Sequence, residues 1–186
     1  MTVPGPDGQL RCGWATSAPE YVEYHDNEWG KEIRDDVLLF ERMTLEGFQS
    51  GLSWITILRK RENFRAAFAN FDPTVIAKYG AADFDRLMAD PGIVRNRLKV
   101  NATISNARAL LELDEGEFTE LLWSFRPAKQ TVPKTLSDVP ATTPESVAMS
   151  KALKKKGFVF VGPTTAYALM QATGIVNDHL ATCIAR

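Results

Sequence analysis

Apolar residues recur at three- and four-residue intervals along most of this chain, and no alternating run is long enough for a sheet, so the pattern predicts an all-α protein. After a Pro/Gly-rich lead to about residue 10, Pro19 to Trp29 reads as a short helix rich in aromatics. From Asp36, the run VLLFERMTLEGFQSG places Leu38, Leu39, Met43 and Phe48 at helical spacings. Asp35 or Asp36 serves as its cap, and Gly47 and Gly51 stand near its end. Ser53 can cap the next helix, whose Ile55, Leu58, Phe64 and Phe68 favour one side and Arg59, Lys60, Arg61 and Arg65 the other. The short link Gly51 to Trp54 makes a hairpin of the two helices.

Asp72 and Pro73 start a short helix to about Tyr79, and Ala81 to Met88 forms another before Pro91 and Gly92 break the pattern. Ile93 to Leu113 then reads as one long helix, with Ile93, Leu98, Ile104, Ala107 and Leu111 inward. Arg95, Arg97 and Lys99 occupy its first turn, where the helix dipole disfavours cations; a solvated face or a phosphate partner fits them. Glu117 to Phe125 is helical, Arg126 to Thr142 is the main loop, and Thr143 and Pro144 restart a helix that runs to a turn at Gly157.

Candidate chemistry concentrates between Gly157 and Cys183. A tight turn from Gly157 to Gly162 opens a helix at Pro163 and Thr164, whose free first-turn amides are suited to a phosphate; Lys154, Lys155 and Lys156 add positive charge. His179 and Cys183 follow, four residues apart, a spacing that on a helix puts both on one face. The chain has only 2 histidines and 2 cysteines. The remaining pair is Cys12 and His25, so the inventory makes a Cys2His2 set that suits tetrahedral zinc and would tie the chain's start to its end. Isolated core residues, or a Cys12 to Cys183 disulfide, are the competing readings.

The 186 residues, 45% hydrophobic and 24% charged, describe an ordinary globular chain. A formal net charge of −1 excludes coating nucleic acid through bulk charge, although a local basic face remains compatible with it. Neither a signal core nor a membrane-length apolar run is present, so a cytoplasmic location and no membrane partner are expected.

The helix, Gly-bearing turn and helix, followed by a V-x-x-H segment, resemble the helix-hairpin-helix DNA glycosylases. Within them, CGW at Cys12, YHDNEWG at Tyr24, LEGFQSGLSWITILRKRENFR from Leu45, SKALKKKGFVFVG and NDHLATC resemble the 3-methyladenine DNA glycosylase I family, over nearly the whole chain from about Arg11. The resemblance implies two helical lobes, about 1–35 with 126–186 and about 36–125. It also implies a structural zinc on Cys12, His25, His179 and Cys183, and a monomer acting on double-stranded DNA that contains alkylated adenine, with free 3-methyladenine as product.

By the same alignment, Thr164 stands where strand-cleaving relatives carry a Schiff-base lysine, which implies base removal without strand cleavage. Asn177 stands where most relatives carry a catalytic aspartate, Asp178 should face elsewhere, and Phe160 replaces the first hairpin glycine. A base methylated at N3 is cationic and leaves as a neutral molecule, so the site must mainly flip out and recognise it. Glu46 falls on the residue that meets the base's amine edge and is the catalytic candidate, with Trp14, Tyr21, Tyr24 and Trp54 as walls. Gly51 and Leu52 are candidates for entering the gap left in the duplex, and Lys156, Gly157, Gly162 and Thr164 for holding DNA phosphate. Two other functions compete. A zinc hydrolase needs an open metal position that four protein ligands would not leave, and a non-enzymatic zinc-containing DNA-binding module would have no use for Glu46.

Overall fold

The structure, a computed structural model, describes residues 1–186. It opens on two strands, β1 (Thr2–Pro4) and β2 (Leu10–Cys12), paired antiparallel with Thr2 opposite Cys12. This hairpin corrects the all-α expectation in one detail. Strands of 3 residues are too short to show alternation. Everything else regular is helical: α1 (Pro19–Asn27), α2 (Asp36–Gln49), α3 (Trp54–Ala67), α4 (Pro73–Ile76), α5 (Ala81–Ala89), α6 (Arg97–Leu111), α7 (Glu117–Trp123), α8 (Pro144–Lys155) and α9 (Pro163–Ala172).

Helix α2 is the axis of the molecule. Asp35 caps it by accepting from the Leu38 amide at 2.8 Å, while the Asp36 carboxylate instead accepts from the amides of Gly116 and Thr119, both at 2.8 Å. Helices α3, α6, α7 and α9 pack around α2, and every residue from Leu39 to Phe48 is buried. An amphipathic stripe would have left its polar side wet. Here Glu41, Arg42, Thr44 and Glu46 are carried inside with the apolar residues of the 30-residue core.

Two helix readings need correction. Asn96 caps α6 by accepting from the amides of Leu98 and Lys99, so the helix begins four residues later than its apolar pattern predicts. Ile93 is buried ahead of it, whereas Leu98 and Leu111, expected inward, are exposed. Lys99, expected on a solvated or phosphate-binding face, is buried, and its ammonium donates to the carbonyls of Phe48 at 2.7 Å and Ser50 at 2.6 Å. It therefore satisfies the last carbonyls of α2 at the link to α3.

The other correction concerns the C-terminus. No helix contains His179 and Cys183, because α9 ends at Ala172 and Gly174 turns the chain with φ +75. A Cβ on Gly174 would lie 2.8 Å from the backbone of Lys31, so both the conformation and the close approach require glycine. Beyond it the chain crosses back to the start, where the Ile184 amide donates to Leu10 O at 2.8 Å.

Candidate active site and metal centre

Three parts of the chain meet at a pocket of about 290 Å³: the N-terminal segment with α1, the α2–α3 hairpin, and α9. The expected residues Trp14, Tyr21, Tyr24, Glu46 and Trp54 all line it. Trp29, Gln49, Ala168 and Gln171 line it too, and none of these four was expected. Gln49 follows Glu46 by three residues on α2, a spacing that could have revealed it. Gln171 belongs to a helix remote in sequence, and only packing brings it here.

The walls are aromatic and mutually braced. Trp14 packs edge-on to Tyr21 at 5.5 Å and to Trp29 at 5.1 Å between ring centroids, and Tyr24 tilts against Trp54 at 5.4 Å. The Tyr21 hydroxyl accepts from the Ile55 amide at 2.8 Å, occupying a donor in the first turn of α3 where Ser53, the expected cap, supplies no side-chain cap bond. The Trp54 indole nitrogen is buried with no partner.

Glu46 is the one carboxyl group in this pocket, and it is only 7% exposed. Burial pushes it up to about 8, against a smaller downward pull from Arg42. Arg42, one turn earlier, is committed to Glu28 at 2.5 Å, and Arg61 binds the same carboxylate with both terminal nitrogens, at 2.6 and 2.9 Å. Glu28 is thus held at about 2 despite its own burial. Arg61 and one terminal nitrogen of Arg42 go to Glu28, while the other Arg42 nitrogen has no partner, so Arg42 only partly offsets the desolvation that raises Glu46.

Beside the pocket, Cys12, His25, His179 and Cys183 are all buried, with ligand atoms within 4.8 Å of one another. His25 Nε2 lies 3.1 Å from His179 Nδ1, and Cys183 Sγ lies 3.4 and 3.6 Å from those two nitrogens. A tetrahedral ion with bonds of ~2.0 Å to nitrogen and ~2.3 Å to sulfur sets neighbouring donors ~3.3 to 3.8 Å apart. His25, His179 and Cys183 are close to this, Cys12 Sγ is slightly wider at 4.0 Å from His179 Nδ1, and the set could hold a metal ion. Outer bonds fix both imidazoles: His25 Nδ1 meets Asp26 at 2.7 Å, and His179 Nε2 meets Trp29 O at 3.0 Å. Asp26 is gripped in turn by Arg11, which also holds Asp7. Burial lowers both histidines, His179 to about 4, which favours the neutral form that a ligand needs. It also pushes the Cys12 thiol up to about 12, so a bound cation is what would favour its thiolate.

Residues 14–186 match the methyladenine glycosylase family. The chain belongs to that family. It is 51% identical over 177 residues to DNA-3-methyladenine glycosylase 1 of Escherichia coli K12, covering 93% of this chain and 95% of the relative. A Haemophilus influenzae DNA-3-methyladenine glycosylase is 50% identical over 178 residues, covering 93% and 96%. A crystal structure of 3-methyladenine DNA glycosylase I superposes with a TM-score of 0.91 at 49% identity, covering 95% of this chain and 99% of the other. A second structure, of the Staphylococcus aureus enzyme, described as the basis of 3-methyladenine recognition, has a TM-score of 0.88 at 36% identity, covering 94% and 95%.

As a methyladenine glycosylase family member, the chain carries its remaining candidates on two turns. Gly51 and Leu52 form the exposed tip between α2 and α3, where Gln49 Nε2 donates to Leu52 O at 2.8 Å. Gly157 (φ +90) begins the other turn, which the Asn106 amide clamps by bonding both the N–H and the carbonyl of Val159, at 2.8 and 3.0 Å. Phe160 adopts φ +60, so a phenylalanine occupies the left-handed conformation usually left to glycine. Gly162 precedes α9 with no side-chain cap, leaving first-turn amides open beside exposed Thr164. Lys156 is not free on this face; its ammonium pairs with Glu117 at 2.8 Å. Asn177 accepts from the His179 amide at 3.2 Å, and Asp178 is buried, bonded to Tyr167, Gln171 and Gln130.

Proposed function

We propose that this chain is a monofunctional DNA glycosylase that flips a methylated adenine out of duplex DNA and excises it as free 3-methyladenine. The observation that carries the reading is a nearly buried carboxyl group, Glu46, without a hydrogen-bonding partner in the chain, at a pocket walled by aromatic rings. Desolvation disfavours the ionised form of this acid, and a cationic purine is the ligand that offsets that cost. Its arrival lets Glu46 ionise and pair with it, a charge-assisted bond of ~1.5 to 3 kcal/mol. The faces of Tyr24, Trp54 and Trp14 add ~0.5 to 2 kcal/mol per ring.

The chemistry is then brief. Water adds at the sugar C1′ and gives up a proton to solvent to leave a C1′ hydroxyl, while the bond from C1′ to the base nitrogen breaks and its electron pair neutralises the cationic base, which leaves without being protonated. Thr164 offers no amine to form a Schiff base, so the strand stays intact. Asn177 and Asp178 are occupied in holding the C-terminal segment, which agrees with a reaction that needs no aspartate beside the sugar.

DNA is read as held by the two turns: Gly51 and Leu52 in the gap of the duplex, and the amides of Gly162 and Thr164, with Gly157 and Lys156, on phosphate. For Lys156 this requires exchange of its exposed Glu117 partner, which costs little in solvent. Zinc is the ion that suits Cys12, His25, His179 and Cys183, and with four protein ligands it would be structural, fastening the first residues to the last.

Incubation with methylated duplex DNA, with chromatography of released bases and a gel for strand breaks before alkali, tests the reading. Free 3-methyladenine with intact strands is expected. Binding to duplex with no base release would replace the enzyme by a DNA-binding module.

A further inference from the structure

Helix α9 supplies the pocket wall that the sequence did not reveal, through Ala168 and Gln171. The Gln171 side chain is not free to turn. Its Nε2 donates to Asp178 Oδ2 at 2.9 Å. Asp178 is 5% exposed and held from two more directions, by the Tyr167 hydroxyl at 2.6 Å and by Gln130 Nε2 at 3.0 Å. Gln130 is locked in turn, accepting from the Asn177 amide at 2.9 Å and donating to the Asn177 carbonyl at 3.0 Å. A carboxylate only accepts, so the nitrogen end of the Gln171 amide must face it. The oxygen end, which no donor of the chain reaches, is left to the pocket.

We infer that Gln171 is a specificity-determining residue that accepts a hydrogen bond from the exocyclic amine of the bound purine, and that Asp178 is the positioning residue that turns its oxygen toward the base. The inference rests on the excision reading above. An adenine-type base carries two N–H groups at C6, one for Glu46 and one for Gln171. A guanine-type base carries an oxygen there, which would meet the Gln171 oxygen with no proton between them, and a buried acceptor left unpaired is what makes such discrimination effective. The aspartate beside Asn177 thereby gains a role in base choice without touching the sugar.

Titration calorimetry of free 3-methyladenine and free 3-methylguanine against the metal-loaded protein tests this. The wild-type chain should prefer 3-methyladenine, and Gln171→Leu should lower the ratio of the two affinities by about three- to tenfold, the worth of one neutral hydrogen bond. Asp178→Asn should lower the same ratio, because an amide at that position accepts either end of Gln171 and lets it rotate. Gln171→Met provides a second variant that keeps the side chain's length, and it should behave as Gln171→Leu does. Equal losses for both bases in the Gln171 variants would reduce Gln171 to a piece of wall and overturn the proposal. An unchanged ratio in Asp178→Asn would remove Asp178 from it. Should the wild-type chain bind neither base and release none from methylated DNA, the excision reading itself falls and takes this inference with it, a result distinct from excision that persists with an unaltered ratio.

Discussion

The Cys2His2 cluster and the aromatic pocket share a wall and are built on opposite terms. Trp14 packs on His25 at 5.2 Å and Trp29 on His179 at 4.7 Å, and both tryptophans also line the pocket. On the cluster side, each imidazole has an outer partner and the donors converge on a common centre. On the pocket side, Glu46 has no bonding partner and the Trp54 indole nitrogen is unpaired. One site is complete within the chain, apart from an ion, and so serves the fold. The other is left incomplete, and the missing half is the ligand.

The largest effect expected from breaking this contrast lies at the cluster. Cys12→Ser, or a strong chelator, should lower the melting temperature by on the order of 10 °C, from several kcal/mol of lost metal binding, with release of a stoichiometric ion by elemental analysis. An unaltered melting temperature in chelator would remove the metal from the fold. Trp14→Ala comes next because it strikes both regions. A loss of ~3 kcal/mol in stability is expected from denaturant unfolding, together with weaker 3-methyladenine binding; loss of only one property would show that the wall is not shared.

Glu46→Gln separates the two regions. Binding of free 3-methyladenine should weaken about tenfold or more while the ion stays bound. Its pH signature is specific. The folded chain keeps on Glu46 a proton that the unfolded chain loses, since burial raises the group from 4.5 to about 8. Stability from this group is therefore full below about 4.5 and declines as pH rises toward about 8, by ~3 to 5 kcal/mol. Glu46→Gln should flatten that part of the profile of melting temperature against pH, and an identical slope in both proteins would contradict the buried, protonated state. Asn177→Ala should have the smallest effect, leaving excision in single-turnover assays within about threefold, because its side-chain oxygen binds only the His179 amide.

The caps at Asp35, Asp72 and Thr143, and prolines at the first position of α1, α4, α8 and α9, made most helix starts legible, because those signals act within a few residues. The start of α6 was missed because Ile93 and Val94 continue an apolar pattern ahead of the Asn96 cap. The candidate site was half legible. Its aromatic and acidic members lie in one N-terminal third of the chain, while Gln171 and Ala168 arrive from α9 across long-range packing.

What the sequence by itself determined was the helical period, the local caps, the Cys2His2 inventory and the family. These are matters of spacing and composition. Tertiary structure alone decided that burial raises Glu46, that Lys99 seals the end of α2 rather than facing solvent, and that His179 and Cys183 meet their partners without a helix. Each depends on desolvation or on a partner supplied from far along the chain, and neither can be read from a side chain and its neighbours in sequence.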